Sequence, residues 1–208
     1  MRLVLIADTH SFHKDLEVPD GDVLIHCGDY SNRGSFCDLC NFNAWLGKQP
    51  HKNKLVISGN HDIFASSVSK YTVQEFLPNA LYLENEVAYI NKVTFWGSPI
   101  TPSYGNWAFM KNRGDAISEV WSTIPENTDV LITHGPPQGI LDANINKELC
   151  GCYDLRRYIR DKKVRYHVFG HIHEQGGKVT EIDGTTFINC SVLNEWYELV
   201  NKPVVIDI

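Results

Sequence analysis

The residues of this chain whose types and spacing can do chemistry stand in five short polar clusters. These are Asp8-Thr9-His10, Gly28-Asp29, Gly59-Asn60-His61-Asp62, Thr133-His134-Gly135 and Gly170-His171-Ile172-His173. Together they hold three aspartates, one asparagine and five histidines, residue types from which metal donors are drawn. Mixed oxygen and nitrogen donors suit manganese, iron, zinc or nickel better than calcium. The set is large enough for two divalent transition-metal ions. Two such ions clamp phosphoryl oxygens and generate a nucleophile at neutral pH, so the pattern points to a metal-dependent hydrolase.

Asp8 and His10 are two apart, and at an extended strand end that spacing puts both side chains on one side. Taken alone, Asp8 reads better as an Asx-turn residue beside a surface His10. Asp29 follows Gly28, which permits a tight turn or a close backbone approach. Within this set Asp29 is the best candidate for a carboxylate shared by two metals. Asn60 offers a neutral carbonyl oxygen, or else a helix N-cap. His61 is left free as a proton donor, with Asp62 placed to orient it. His134 ends an apolar strand, and Gly135-Pro136-Pro137 then turns the chain away. His171 and His173 are the strongest pair, one for each metal. His13, His26, His51 and His167 belong to no cluster and read as surface or core residues.

The first four clusters each follow an apolar run, and the fifth follows Tyr166-His167-Val168-Phe169. Runs of this length read as buried strands. The clusters therefore sit at strand ends, where open α/β sheets place their sites. Strands are expected at 2–7, 22–27 and 54–58, with a helix at 36–47 between the last two. Short strands follow at 81–83, 86–90 and 93–97, with a hairpin turn at Ile90-Asn91-Lys92-Val93. A helix at 113–123 precedes a strand at 129–133, and a helix at 153–162 precedes one at 165–169. The tail reads as strands at 178–182, 185–190 and 203–208, with a tight turn at Asp183-Gly184. About ten strands and four helices fit two packed sheets flanked by helices better than one very wide sheet. No linker divides residues 1–208, so one domain is expected.

The formal charge of −6 argues against broad nucleic-acid or membrane binding, both of which want a basic surface. An anionic substrate is still compatible, because two bound cations make a pocket locally positive. No apolar stretch reaches membrane-spanning length. Met1 to Ala7 is too short for a signal-peptide core and runs straight into Asp8, so it reads as a first strand and the chain as cytoplasmic. Cys37, Cys40, Cys150 and Cys152 could in principle form a four-thiolate zinc site, although Cys-x-Cys is not the usual zinc knuckle. Cys27 and Cys190 end apolar strands and read as core.

The ordered series Asp-x-His, Gly-Asp, Gly-Asn-His-Asp, a lone His and Gly-His-x-His resembles the calcineurin-like metallophosphoesterase superfamily, over Asp8 to His173. The segments 42–47, 95–99, 106–109, 133–137 and 188–191 are similar to its small metallophosphoesterase-domain-containing branch. The resemblance implies an α/β fold, a four-layer α/β/β/α sandwich of two mixed sheets flanked by helices. It also implies a ligand division. Asp8, His10, Asp29 and His173 would hold one ion, and Asp29, Asn60, His134 and His171 the other. One departure stands out. The superfamily often carries a second Asp three positions after the bridging one, where this chain has Asn32.

From this follows an expected reaction: in-line attack on phosphorus by a hydroxide between the two ions, with His61 protonating the leaving oxygen. The resemblance favours phosphodiesters, and the related branch favours small nucleotide-type diesters such as cyclic nucleotides. Tyr30, Arg33, Asn106, Trp107 and Asn194 are the candidate substrate contacts. Arg33 could pair with phosphate, and Trp107 could stack on a base or simply pack in the core. A phosphomonoesterase, a nuclease and a nucleotide-binding regulator of low turnover are the competing readings. Nucleic acid is disfavoured by the acidic charge.

Overall fold

The computed structural model describes residues 1–208. The first apolar runs become parallel strands β1 (Arg2–Ile6), β2 (Val23–Cys27), β3 (Asn53–Ile57) and β4 (Leu81–Tyr82). Then come β5 (Glu86–Ile90), β6 (Val93–Ser98), the short pair β7 (Thr101–Pro102) and β8 (Met110–Lys111), and β9 (Val130–Thr133). The chain closes with β10 (Tyr166–Phe169), β11 (Val179–Ile182), β12 (Thr185–Asn189) and β13 (Val204–Asp207). One sheet has the order β13-β1-β2-β3-β4 and a second β11-β12-β10-β9-β6-β5, each with antiparallel pairing confined to its margins.

Alternation along the strands builds the layers. Leu3, Leu5, Ile25 and Ile57 of the first sheet meet Phe95, Ile132, Val168 and Ile188 of the second in one central core. Their neighbours Val4, Ile6, Leu24 and Val56 point outward onto helices α1 (Phe36–Leu46) and α3 (Lys70–Phe76). Trp96, Leu131, Phe169 and Phe187 point the other way, onto α4 (Asp115–Ser122) and α5 (Tyr153–Asp161). A strand covered on both faces has no polar side to show, which is why these segments are continuous apolar runs in the sequence. The result is the expected four-layer α/β/β/α sandwich. Each fully buried aliphatic residue contributes ~1.5–3 kcal/mol, so the sixteen-residue layer between the sheets fixes how they sit.

Local chemistry sets the ends. Ser35 and Asp38 form a reciprocal capping box at the start of α1. Asn91 and Lys92, at φ 50° and 67°, make the hairpin turn between β5 and β6, and Asp183-Gly184 does the same between β11 and β12. Where about four helices were expected, five form. Residues 63–76 contain α2 (Ile63–Ser67) as well as α3, separated by an extended Val68. The four-thiolate zinc site does not form. Cys37 and Cys40 are exposed on α1, Cys152 is a buried cap of α5, and no metal-capable cluster contains a cysteine. No helix is long and apolar enough to cross a membrane.

One edge gathers the chemistry. The carboxyl ends of β1, β2 and β3 meet those of β9, β10 and β12, because Ala7 bridges to Ser191 across the two sheets. The Ala7 N–H donates to the Cys190 carbonyl at 2.9 Å, and the Val192 N–H donates to the Ala7 carbonyl at 3.1 Å.

Candidate metal centre

All five clusters arrive at this edge. Asp8 and His10 do share a side, but not through extended backbone. Asp8, His10 and Ser11 have φ 55°, 39° and 71°, and Asp29 and His171 have 56° and 69°. Left-handed conformations cost non-glycine residues on the order of 1–3 kcal/mol each and persist where surroundings enforce them. Here hydrogen bonds enforce them. The Asp8 N–H donates to Gly28 O, His10 N–H to Asp29 O and Ser11 N–H to Tyr30 O, each at 3.0 Å. Gly28, at φ 94°, lies so close to its neighbours that an added Cβ would come within 2.6 Å of Ser58 O and 2.7 Å of His134 Nδ1.

The imidazoles are aimed by main-chain carbonyls. His10 Nδ1 lies 3.1 Å from Ser31 O, His134 Nδ1 2.9 Å from Cys27 O, His173 Nδ1 3.0 Å from Asn194 O, and His61 Nδ1 2.7 Å from Asn32 O. A carbonyl can only accept, so each Nδ1 carries a proton and each Nε2 is the ring atom left for the site. The carboxylates are fixed in the same way. His61 N–H donates to Asp29 Oδ1 at 2.8 Å, which leaves Asp29 Oδ2 3.3 Å from His134 Nε2 and 3.8 Å from His10 Nε2. His171 N–H donates to Asp8 Oδ2 at 2.8 Å, which leaves Oδ1 facing His173 Nε2 at 3.8 Å. Asn60 Oδ1 lies 2.9 Å from His134 Nε2.

Three overlapping groups of donors result: Asp8, His10 and His173; His10, Asp29 and His61; and Asp29, His134 and His171. Asp8 Oδ1 and His10 Nε2 are buried with no hydrogen-bond partner. Buried polar atoms are nearly always satisfied, and a divalent cation is the group that this donor set fits.

The calcineurin-like phosphoesterase profile matches residues 1–175. The chain belongs to the calcineurin-like phosphoesterase family. Metallophosphoesterase domain-containing protein 1 of Homo sapiens is 39% identical over 232 residues, spanning 100% of this chain and 71% of that protein. UPF0046 protein K07C11.7 of Caenorhabditis elegans is 38% identical over 218 residues, spanning 99% of this chain and 74% of its own. The structure of Phosphopantetheinyl Hydrolase (PptH) from Mycobacterium tuberculosis is similar with a TM-score of 0.67 over 94% of this chain and 90% of that one. Its 15% identity makes that a likeness of fold alone. The chain is thus a metal-dependent phosphoester hydrolase of the small metallophosphoesterase-domain-containing branch.

The phosphoesterase site is buttressed by residues that spacing alone did not reveal. The Asp62 carboxylate makes no hydrogen bond to the His61 ring, contrary to expectation. It is wholly buried and accepts four hydrogen bonds, from the N–H groups of Asp29, Ser31 and Gly59 and from the Ser31 hydroxyl. It ties the Asp29 loop to the Asn60 loop. The Asn32 carbonyl takes the orienting role instead, so the change from Asp to Asn at that side chain leaves His61 held. His26 and His167 are core residues, and each braces a ligand loop, His26 Nε2 3.0 Å from Thr9 Oγ1 and His167 Nε2 2.7 Å from Thr133 Oγ1. Asn189 donates to the carbonyls of Gly170 and Ile172, holding the Gly-His-x-His loop.

Two candidate substrate contacts are corrected. Tyr30 is buried in the core, stacked on Phe42 at 4.6 Å. The Asn194 side chain is spent inside its own turn, and only its carbonyl serves the site. Trp107 is not core: it is exposed, with its ring 4.4 Å from His61. Arg33 and Asn106 are exposed. Sequence reasoning missed Tyr104, 5.4 Å from His171, and Tyr197, 4.9 Å from His10 and 5.1 Å from His173. A cavity of 710 Å³ beside α5, bearing Arg156, Arg157, Arg160 and Lys163, shares no residue with the metal cluster.

Burial lowers His10 to about 4 and His171 to about 3, so both rings are neutral at neutral pH. His134 differs. Burial favours its neutral form, but the charge and hydrogen bond of Asp29, with Asp8 behind, outweigh burial and raise it to about 10. Burial would likewise raise Asp29, and the charge of His134 overrides it and holds that carboxyl well below the usual range. A cation held by Asp29, His134 and His171 would therefore compete with the His134 proton. Affinity at that place should rise with pH until about 10, where the ring loses the proton unaided. Titration calorimetry in two buffers of different ionisation heat should detect the proton released. Asp62→Ala strands three buried N–H donors, so it should destabilise the fold by about 3 kcal/mol or more. Urea unfolding with elemental analysis should show the stability and the metal content falling together.

Proposed function

We propose that this protein is a binuclear phosphodiesterase acting on small diesters, nucleotide-type diesters among them. Asp8, His10, Asp29 and His173 would hold one cation, and Asp29, Asn60, His134 and His171 the other. The observation that carries this reading is the Asp29 carboxylate, one oxygen fixed by a backbone N–H and the other between two histidines. When bound, two divalent ions supply Lewis-acid stabilisation of the phosphoryl oxygens and a nucleophile active at neutral pH. Manganese, iron, zinc and nickel all suit the donors.

His61 supplies the proton. Its Nδ1–H is committed to Asn32 O, its ring packs against His10 and Trp107, and the proton it delivers to the leaving oxygen is one carried on Nε2. Trp107 is the stacking surface for a planar base, and Arg33, exposed on the loop that carries Asn32, is the phosphate partner. The net charge of −6 favours a small substrate over nucleic acid. All six cysteines are free thiols, in keeping with a cytoplasmic setting.

A panel of model diesters, model monoesters, cyclic nucleotides and oligonucleotides, assayed with manganese, should show the highest kcat/KM on diesters. Preference for monoesters or oligonucleotides would replace this reading with its monoesterase or nuclease counterpart. His61→Ala should keep its metals and lose roughly 10²–10⁴-fold in kcat. Wild-type turnover from a fully metallated variant would exclude His61 as the proton donor.

A further inference from the structure

Two segments far apart in sequence fold into the same turn. In Asn144–Leu149 and Asn194–Leu199, the asparagine N–H donates to the carbonyl of Glu148 or Glu198, at 3.1 and 3.0 Å. Its Oδ1 accepts from the N–H groups two and four residues on, at 3.0 and 2.9 Å in both turns. Its Nδ2 donates to the glutamate carboxylate at 2.8 Å in both. The fourth residue is left-handed in each, Lys147 at φ 64° and Tyr197 at φ 61°.

Both turns are seated on the short segment 173–175. Ile145 N–H donates to Glu174 Oε1 at 2.6 Å, Gln175 Nε2 donates to Ala143 O at 2.7 Å, and His173 Nδ1 donates to Asn194 O at 3.0 Å. They flank a metal ligand, and they hold large apolar side chains in water. Trp196 is 68% exposed, Ile145 58% and Leu149 56%. Tyr197 is exposed too and connects this surface to the rings of His10 and His173. Scattered apolar residues on a surface are ordinary, whereas here two turns that each expose large apolar side chains are hydrogen-bonded to the same three-residue segment. Because Tyr197 also packs against His10 and His173, a substrate held at the metal centre reaches these turns.

We infer that the ester group retained on phosphorus carries an apolar body, an alkyl chain or an aromatic ring, that lies on Trp196, Tyr197, Ile145 and Leu149. This rests on the phosphodiesterase reading. In the step itself water adds to phosphorus and the bond from phosphorus to the leaving oxygen breaks. The leaving oxygen takes a proton, and the apolar group departs as a phosphomonoester. Inorganic phosphate or a small polar monoester has nothing to place on this surface.

The test holds the leaving group constant. Methyl, butyl, phenyl and octyl p-nitrophenyl phosphates share p-nitrophenol and differ only in the retained ester. With the metal-loaded protein, below micellar concentrations, kcat/KM should rise roughly tenfold or more from methyl to octyl, mainly through KM. In the double variant Ile145→Ser, Trp196→Ser the octyl-to-methyl ratio should fall at least about fivefold. Because the ratio is internal to each protein, a loss of folded enzyme cancels. A flat series, or an equal ratio in the variant, overturns the apolar subsite and leaves the phosphodiesterase reading standing. Absence of turnover on every diester, with turnover of p-nitrophenyl phosphate, overturns both.

Discussion

The seam where two sheets meet at their carboxyl ends is the constraint from which the rest follows. Ala7 at the end of β1 is laced to Cys190 and Val192 beyond β12, so strands from opposite halves of the chain finish side by side. Sixteen buried residues between the sheets hold that seam, and a shift of either sheet would expose them. Asp8, Asp29, Asn60 and His61 come from the first sheet, and His134, His171 and His173 from the second. No donor group is complete without the inter-sheet core, except the one formed by His10, Asp29 and His61. Packing energy is thereby converted into the placement of charge.

That placement is under tension. A buried carboxylate and a buried imidazole, Asp29 and His134, stabilise one another's charge only because each outweighs the desolvation of the other. Left-handed backbone at Asp8, His10, Asp29 and His171 adds a further cost. Protein designed for stability alone would have neither. Ligand loops with this much opposing force built in are bound tightly at their bases by Asp62, His26, His167 and Asn189, all buried.

Much of this was legible before folding. Apolar runs ending in Asp, Asn or His marked the strands and the converging donor groups together, because a strand buried on both faces must be uniformly apolar and a site must begin where that uniformity stops. Spacing was a poorer guide to conformation: Asp8 and His10 converge through left-handed turns, for which the sequence carries no glycine signal at those positions. Asp62 departs from its expected role because three of its four hydrogen bonds reach a loop away, to Asp29 and Ser31, which adjacency in sequence does not reveal. Tyr30 and Tyr197 show the same limit. Tyr30 adjoins the Gly28-Asp29 cluster yet stacks on Phe42 in the core, whereas Tyr197 lies outside all five clusters yet packs on two histidines of the site.

Four histidines have their Nδ1 atoms held by peptide carbonyls. A side chain can be deleted by one base change; a peptide carbonyl cannot. Substitution at Ser31, Asn32, Cys27 or Asn194 leaves the acceptor in place so long as the strand end stays put. The tautomers at this centre are therefore inherited from the path of the backbone. They can be conserved among descendants whose residues at those four positions no longer agree.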